Sequence, residues 1–384
     1  MTLSNEVFTY IQQAQEEACA LLKELCQIPA PSGQEERRAA FVYEWLKKQG
    51  AENVWIDPAL NVVCPIGCDE AEEIVVFMAH TDVVFPDLTP LPCREEEGKL
   101  FAPGVGDDTA QLVLLLMVVK YLLREKLSPR CGVLFVANSG EEGLGNLKGC
   151  RQIFKDYGAR MKRFYTFDAI YDMVVNRCVG SHRYRVRVTT EGGHSYDKFG
   201  NRNAIAYMAM LISRLYALEV PCVAGSKTTY NVGTISGGTS VNTIAEDAEI
   251  LCEYRSDDEC CLREMEQKFQ AVFDSIRAEG VEITVERIGE RPCMKGVDPV
   301  ELRKMTEESA AICQKYTGLP CRIVSGSTDA NIPMSNGVPG ICVGVINSGG
   351  AHTRGEWVEL KSLETGMKIA AELILQYFCE EELQ

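Results

Sequence analysis

The chain has 384 residues, 46% hydrophobic and 24% charged, the composition of a soluble globular protein too long for one compact core, so two domains are expected. Thirty-nine Lys and Arg against 55 Asp and Glu leave a net charge of −16, which excludes a general electrostatic footprint for nucleic acid or an anionic membrane face. The longest apolar run, Leu112 to Val119, has eight residues, against the roughly 20 that span a bilayer, so no membrane segment is expected.

The N-terminus, MTLSNEVFTYIQQAQEEACALLKEL, has acids and glutamines where a secretory signal needs a basic start and an apolar stretch, and a cytoplasmic location is the expectation. The 17 cysteines fit it: they are scattered, odd in number and without a C-x-x-C pair, and read as reduced thiols. Cys64 and Cys68 in CPIGC have no second pair or nearby His to complete a metal site.

From residue 5 to 30 the apolar spacing is helical, and IPAPSGQEE breaks it, with Ser32 placed to cap the helix that carries Phe41, Trp45 and Leu46. Short apolar runs then alternate with helical stretches: IVVFMA (74–79), GVLFVA (132–137), FYTF (164–167) and ICVGV (341–345). Continuous rather than alternating apolar strands are buried on both faces, which predicts an α/β fold with a mostly parallel sheet between helices.

Between about residues 181 and 292 the rhythm changes. HRYRVRVTT alternates with period two, RNAIAYMAMLISRLYA is helical, TTYNVGTIS and DAEILCEYRS read as strands, DECCLREMEQKFQAVFDSIRAEG is helical and VEITVERI alternates again. That order, β-α-β-β-α-β, is the split βαβ of ferredoxin-like units. Residues 181–292 are therefore expected to form an α+β domain inserted into an α/β domain made of 1–180 and 293–384.

In open α/β sheets ligands bind beyond the carboxyl ends of the strands. Run 74–79 ends in His80-Thr81-Asp82, run 132–137 leads through Asn138-Ser139-Gly140 to Glu141-Glu142, run 164–167 ends at Asp168, and run 341–345 leads through NSGGA to His352. A further segment, APGVGDD, places Asp107 and Asp108 ahead of the helix TAQLVLLLMVVKYLL. Each residue alone has a plainer reading: His80 a core histidine, Asp108 a helix cap, Glu141 and Glu142 solvated loop acids, Asp168 a turn cap. Together they crowd carboxylates and two of the four histidines onto one sheet edge, where like charges repel unless a cation is present. Imidazole and carboxylate without thiolate point to zinc, with manganese or cobalt as alternatives. Two histidines sharing one acid between ions give a two-metal site, with the ions roughly 3.5–4 Å apart.

MAHTD, GVGDD, SGEEG, FDA and GGAHT, in this order and spacing, resemble the co-catalytic zinc exopeptidases that include peptidase T, carboxypeptidase G and aminoacylase. The resemblance covers nearly the whole chain, through EGGHS and GGTSVNTIAEDAEILCEYRS in the inserted part to SGSTDAN and HTRGEWVEL, and is strongest to the tripeptidase peptidase T branch. It implies that His80, Asp107 and Asp168 hold one metal and Asp107, Glu142 and His352 the other, with Asp107 bridging. It implies that Asp82 orients His80 and that Glu141 is the general base on the metal-bound water. Asp rather than Glu at 168 goes with aminopeptidases and dipeptidases. Thr109 departs from the resemblance, which often has Lys after the paired acids. In the inserted part His194, Asn242 and Arg255 match substrate-contacting positions, Arg255 being suited to grip a carboxylate. Asp329 reads as loop structure, and His182 as a surface strand residue.

The expectation is a cytoplasmic di-zinc exopeptidase for short peptides, active as a homodimer through the inserted domain, with His194 of one subunit reaching the site of the other. An N-acyl-amino-acid amidohydrolase or a carboxypeptidase would use the same di-metal chemistry. A peptide or metal binder without turnover has no need of a base at Glu141.

Overall fold

The computed structural model describes residues 3–379. The chain divides into two compact units, residues up to 178 together with those from 295 onward, and residues 179–294.

In the outer unit the four apolar runs become the strands Ile74–His80, Gly132–Asn138, Met161–Thr166 and Gly340–Val343. They lie next to one another, all parallel, in the middle of an eight-stranded sheet. Every residue of Ile74–His80 and Gly132–Asn138 is buried, so both sheet faces are covered there. Helix Ala110–Glu125, with 12 buried residues, packs on these strands beside helix Ser362–Leu375.

Shorter strands complete the edges. Val62–Ile66 runs antiparallel to Gly132–Asn138, with Trp55–Ile56 outside it. On the other side Met173–Cys178 runs antiparallel to Gly340–Val343, with Arg322–Gly326 parallel beyond it. Because the four central strands share one direction, the segments that leave their carboxyl ends are delivered to the same edge of the sheet.

The inserted unit holds four antiparallel strands in the spatial order Thr228–Gly237, Asp247–Ser256, Gly180–Thr189, Glu282–Arg291. With helices Ala204–Tyr216 and Glu259–Arg277 this is a ferredoxin-like β-α-β-β-α-β unit. Its core joins Val186 and Ile250 of the sheet to Met208, Leu211, Phe269 and Phe273 of the helices. Thr228–Gly237 is an edge strand, largely exposed.

His182 is not a surface residue. It is buried, with Nδ1 2.6 Å from the Tyr254 hydroxyl. The period-two pattern of its own strand explains this, since His182 shares a face with the buried Tyr184, Val186 and Val188.

All 17 cysteines are free thiols. Among the described residues no helix is long and apolar enough to cross a membrane.

Candidate metal centre

His80 is the last residue of its strand and is fixed at three atoms. Its N–H donates to Asp108 Oδ2 at 2.8 Å, Nδ1 lies 3.0 Å from the Asp82 carbonyl, and Nε2 lies 3.1 Å from Asp107 Oδ1. The contact with the Asp82 carbonyl places the proton of the neutral ring on Nδ1 and leaves the Nε2 lone pair available to a ligand. The Asp82 carboxylate is 3.5 Å from Nδ1 and has other work: it accepts the N–H of Glu141 at 3.0 Å and of Glu142 at 2.9 Å.

Asp107 and Asp108, joined by a cis peptide, face different ways. Asp108 is buried and receives the His80 N–H; it does not cap the following helix, whose N-cap is Thr109 with no side-chain capping bond. The second oxygen of Asp107 lies 3.1 Å from His352 Nε2, so one carboxylate spans two imidazoles. His352 comes from a short antiparallel pair, Ser348–Gly349 with Trp357–Glu359, and has φ +62 at its turn. Its Nε2 is also 3.2 Å from Glu142 Oε1.

Glu141 and Glu142 are both buried. Asp168, half-buried, stands two residues beyond Met161–Thr166. Ligand atoms within 4.8 Å of one another form two groups, His80 with Glu141 and Asp168, and His80 with Asp107 and Glu142.

The electrostatics call for a cation. Burial, reinforced by Asp107 and Glu141, pushes the Asp168 carboxyl well above the usual range. Burial lifts Glu142 to about 7 despite its contact with His352. Hydrogen bonding to Asp107 and Glu142 raises His352 to about 10. For His80 burial acts downward, but Asp108, Asp107 and Asp82 outweigh it and hold the ring well above its ordinary value. Glu142 Oε1 and Asp108 Oδ1 are buried without a well-aligned hydrogen bond. Carboxylates that cling to protons, facing imidazole nitrogens, are a donor set suited to divalent ions.

Sequence reasoning missed three residues that build this edge. Ser32 is not a helix cap; helix Glu36–Lys48 starts later. A parallel bridge between Pro31 and Val83 sets Ser32 beside Asp82, and its Oγ donates to Asp82 Oδ2 at 2.6 Å. Arg38, buried, donates to the Thr81 carbonyl at 2.8 Å and to Thr109 Oγ1 at 3.2 Å, tying together the segments that carry His80 and Asp107. Glu356, also buried, accepts backbone N–H groups of the Asp107 loop. Nothing local in the sequence signals these three roles, since each partner lies far along the chain.

Asp329 accepts from Asn138 Nδ2 at 2.6 Å, anchoring its loop to the residue that pairs with His80 in the sheet. In the inserted unit the structure brings His194 and Asn242 together: Gly193–His194 pairs with Thr243–Ile244, and Ser195 donates to the Asn242 carbonyl at 2.9 Å. His194 Nδ1 accepts from the N–H of Tyr196 at 3.3 Å and Asp197 at 3.4 Å, which puts the proton of the neutral ring on Nε2. Arg255 is occupied, its guanidinium meeting both oxygens of Glu253 at 2.7 and 3.1 Å.

The model of peptidase family M20/M25/M40 matches residues 76–376, a span that includes His80, Asp82, Asp107, Glu141, Glu142, Asp168 and His352. The chain belongs to this family. It is therefore a metal-dependent hydrolase of the peptidase and amidohydrolase kind. The M20/M25/M40 fold is shared with a tripeptidase structure from Staphylococcus aureus at TM-score 0.74 and 23% identity, covering 94% of this chain and 97% of that one. The structure of aminopeptidase PepT from Bacillus cereus gives TM-score 0.71 and 19% identity, over 94% and 98%. In sequence the chain is 22% identical to acetylornithine deacetylase of Yersinia pestis over 345 residues, 84% of each.

Proposed function

We propose that this M20/M25/M40 member is a di-zinc aminopeptidase that releases the N-terminal residue of free di- and tripeptides. The observation that carries the reading is the Asp107 carboxylate, one oxygen 3.1 Å from His80 Nε2 and the other 3.1 Å from His352 Nε2. A carboxylate shared in this way suits a bridge between two ions. His80, Asp107 and Asp168 would hold one, and Asp107, Glu142 and His352 the other. When bound, the ions supply a water of lowered pKa and a Lewis acid for the scissile carbonyl.

The chain's own residues do the rest. Glu141, buried beside Asp168, takes a proton from the attacking water and returns it to the departing amine. His80 is oriented through Nδ1 by the Asp82 carbonyl. His194 offers its exposed Nε2–H as a donor to the developing oxyanion, and Asn242 beside it contacts the substrate backbone. Arg255 would meet the substrate carboxylate by exchanging it for Glu253.

The active form on this reading is a cytoplasmic homodimer joined through the inserted unit. The edge strand Thr228–Gly237 has an unpaired side, and Ile235 and Val241 are exposed near it, features that a second copy would cover.

Similarity to a deacetylase favours one second reading, release of an N-acyl group from an amino acid. Zinc-, cobalt- or manganese-loaded protein is offered a free tripeptide and an N-acetylated amino acid side by side, with products identified by mass. Loss of the N-terminal residue from the tripeptide alone is expected. Deacetylation without peptide cleavage reverses the assignment, and neither product from a metal-loaded chain leaves a binder.

A further inference from the structure

We propose that Glu356 is a positioning residue that sets the spacing between Asp107 and His352, and through it the occupancy of the second metal position; this rests on the two-ion reading above. Glu356 is 1% exposed, and both of its oxygens accept backbone N–H groups of the Asp107 loop. Oε2 accepts the N–H of Gly104 at 2.9 Å, and Oε1 those of Gly106 at 2.7 Å and Asp107 at 2.8 Å. One carboxylate thus holds three N–H donors, those of Gly104, Gly106 and Asp107, in the loop that presents Asp107, and in its ionised form such charge-assisted bonds are about twice as strong as neutral ones.

Glu356 also sits on the segment that presents His352. Its own N–H bonds back to the Thr353 carbonyl at 3.2 Å, its carbonyl accepts from Ala102 N–H at 3.1 Å, and the next residue begins the strand Trp357–Glu359. The two segments lie about 250 positions apart in the chain, as the separations of 249 to 252 between bonded pairs record. The backbone pairing of Trp357–Glu359 with Lys99–Phe101 brings the segments together, and the Glu356 side chain extends that docking to the Asp107 loop.

The docking is tight enough to restrict composition. A Cβ added at Gly106 would come within 2.6 Å of Ser348 Cβ and 3.2 Å of Glu356 Oε1, and Gly104 holds φ +74. Small residues at both positions let the backbone approach the carboxylate. Glutamine has a single side-chain acceptor and turns an N–H₂ toward backbone donors. In Glu356→Gln at least one of the three donors loses its partner, the Asp107 loop relaxes, and the distance to His352 is no longer set.

The test is cobalt(II) titration of metal-free protein, followed by dialysis equilibrium and by the visible absorption of bound cobalt. Glu372→Gln is the control, a buried carboxylate on helix Ser362–Leu375 that bonds Lys315 and Tyr316 away from the centre. Wild type and Glu372→Gln are expected to take two cobalt ions per chain. Glu356→Gln should lose about 10–100-fold in affinity for one of them, the usual effect of disturbing a partner that orients a ligand, with the absorption of the remaining ion unchanged. Two ions bound by Glu356→Gln with wild-type affinity and spectrum would overturn the proposal, as would an equal loss in Glu372→Gln. Should Glu356→Gln not fold, Glu356→Asp, one methylene shorter, is read in the same way, and wild-type binding there overturns it. A wild-type chain that binds fewer than two ions refutes the two-ion reading instead, and the inference with it.

Discussion

Asp82 holds Glu142 by its backbone: Asp82 Oδ2 accepts the Glu142 N–H at 2.9 Å while Oδ1 accepts that of Glu141 at 3.0 Å. Two consecutive N–H groups are clamped on one buried carboxylate, and Glu142 itself is extended, φ −74 and ψ 151. In extended chain successive side chains point to opposite sides. Adjacent glutamates thereby face different groups, Glu141 toward Asp168 and Glu142 toward Asp107.

From this split follows a division of labour that mutation can read. Glu141→Gln should keep both metals and lose on the order of 10²–10⁴-fold in kcat, the contribution of a general base. Glu142→Gln should lose metal first. Metal content per chain, measured beside kcat, decides; if the first variant loses metal and the second keeps it, the two roles are exchanged.

Ser32 offers a milder probe of the same clamp. Its Oγ donates to Asp82 Oδ2 at 2.6 Å and lies 3.2 Å from the Glu142 carbonyl. Ser32→Ala removes a donor but leaves Asp82 with two N–H partners, so a loss of about 1 kcal/mol in stability is expected. Asp82→Asn leaves only one acceptor oxygen for three donors. Its cost should be larger, about 1–3 kcal/mol for an unsatisfied buried donor, with a fall in kcat that Ser32→Ala does not share. Equal effects of the two substitutions, by thermal unfolding and by rate, would contradict the clamp.

What the sequence reveals of this centre and what it hides have separate physical origins. Continuous apolar runs such as 74–79 and 132–137 announce strands buried on both faces, and parallel order then delivers His80, Glu141, Asp168 and His352 to one edge. Period and direction are local properties, and the sequence carries them. Val62–Ile66, with Pro65 inside it, and Met173–Cys178, with Asn176 and Arg177, lack that signature and become strands only because the central sheet offers them a partner. Ser32 looks like a cap because its neighbours in sequence are a helix; its partner Asp82 is 50 positions away. Asp108 fails as a cap for the same reason, the His80 N–H being a better-placed donor. Glu356 is the extreme case, an acid whose three partners lie about 250 positions back along the chain.

Metal binding should strengthen steeply as pH rises. Without metal His352 titrates at about 10 and Glu142 at about 7, so near neutrality the imidazole carries a proton that an ion must displace. Affinity rises with pH by up to about tenfold per unit for each proton released. Stability of the metal-free chain moves the other way. A raised His352 pKa contributes stability below about 6.5 that is lost as pH rises through about 10, and a raised Glu142 pKa makes its ionisation costly as pH passes from 4.5 to about 7. The Tm difference between metal-loaded and chelator-treated protein should therefore widen as pH is raised from about 6 to about 9. A constant or narrowing difference is incompatible with protons and ions competing for His352 and Glu142.

His194 is expected to serve the metal centre of a second copy of the chain. Its ring belongs to the inserted unit, whereas His80, Asp107, Glu142, Asp168 and His352 all belong to the outer one. Its Nδ1 is satisfied by the N–H groups of Tyr196 and Asp197, so the exposed Nε2–H is preorganised to donate outward at no cost in reorientation. If a dimer forms through the inserted unit, that donor can complete the centre of the partner. His194→Ala should cost about 10²–10³-fold in kcat, the value of one oxyanion donor, with metal content unchanged. Glu141→Gln is nearly inactive for a different reason. In a mixed dimer of the two variants, one site combines the intact Glu141 of one chain with the intact His194 of the other. Activity should return to about half that of a wild-type dimer if each site works alone. Mixed dimers verified by mass that remain as inactive as their parents would assign His194 to its own subunit's centre or to no catalytic role.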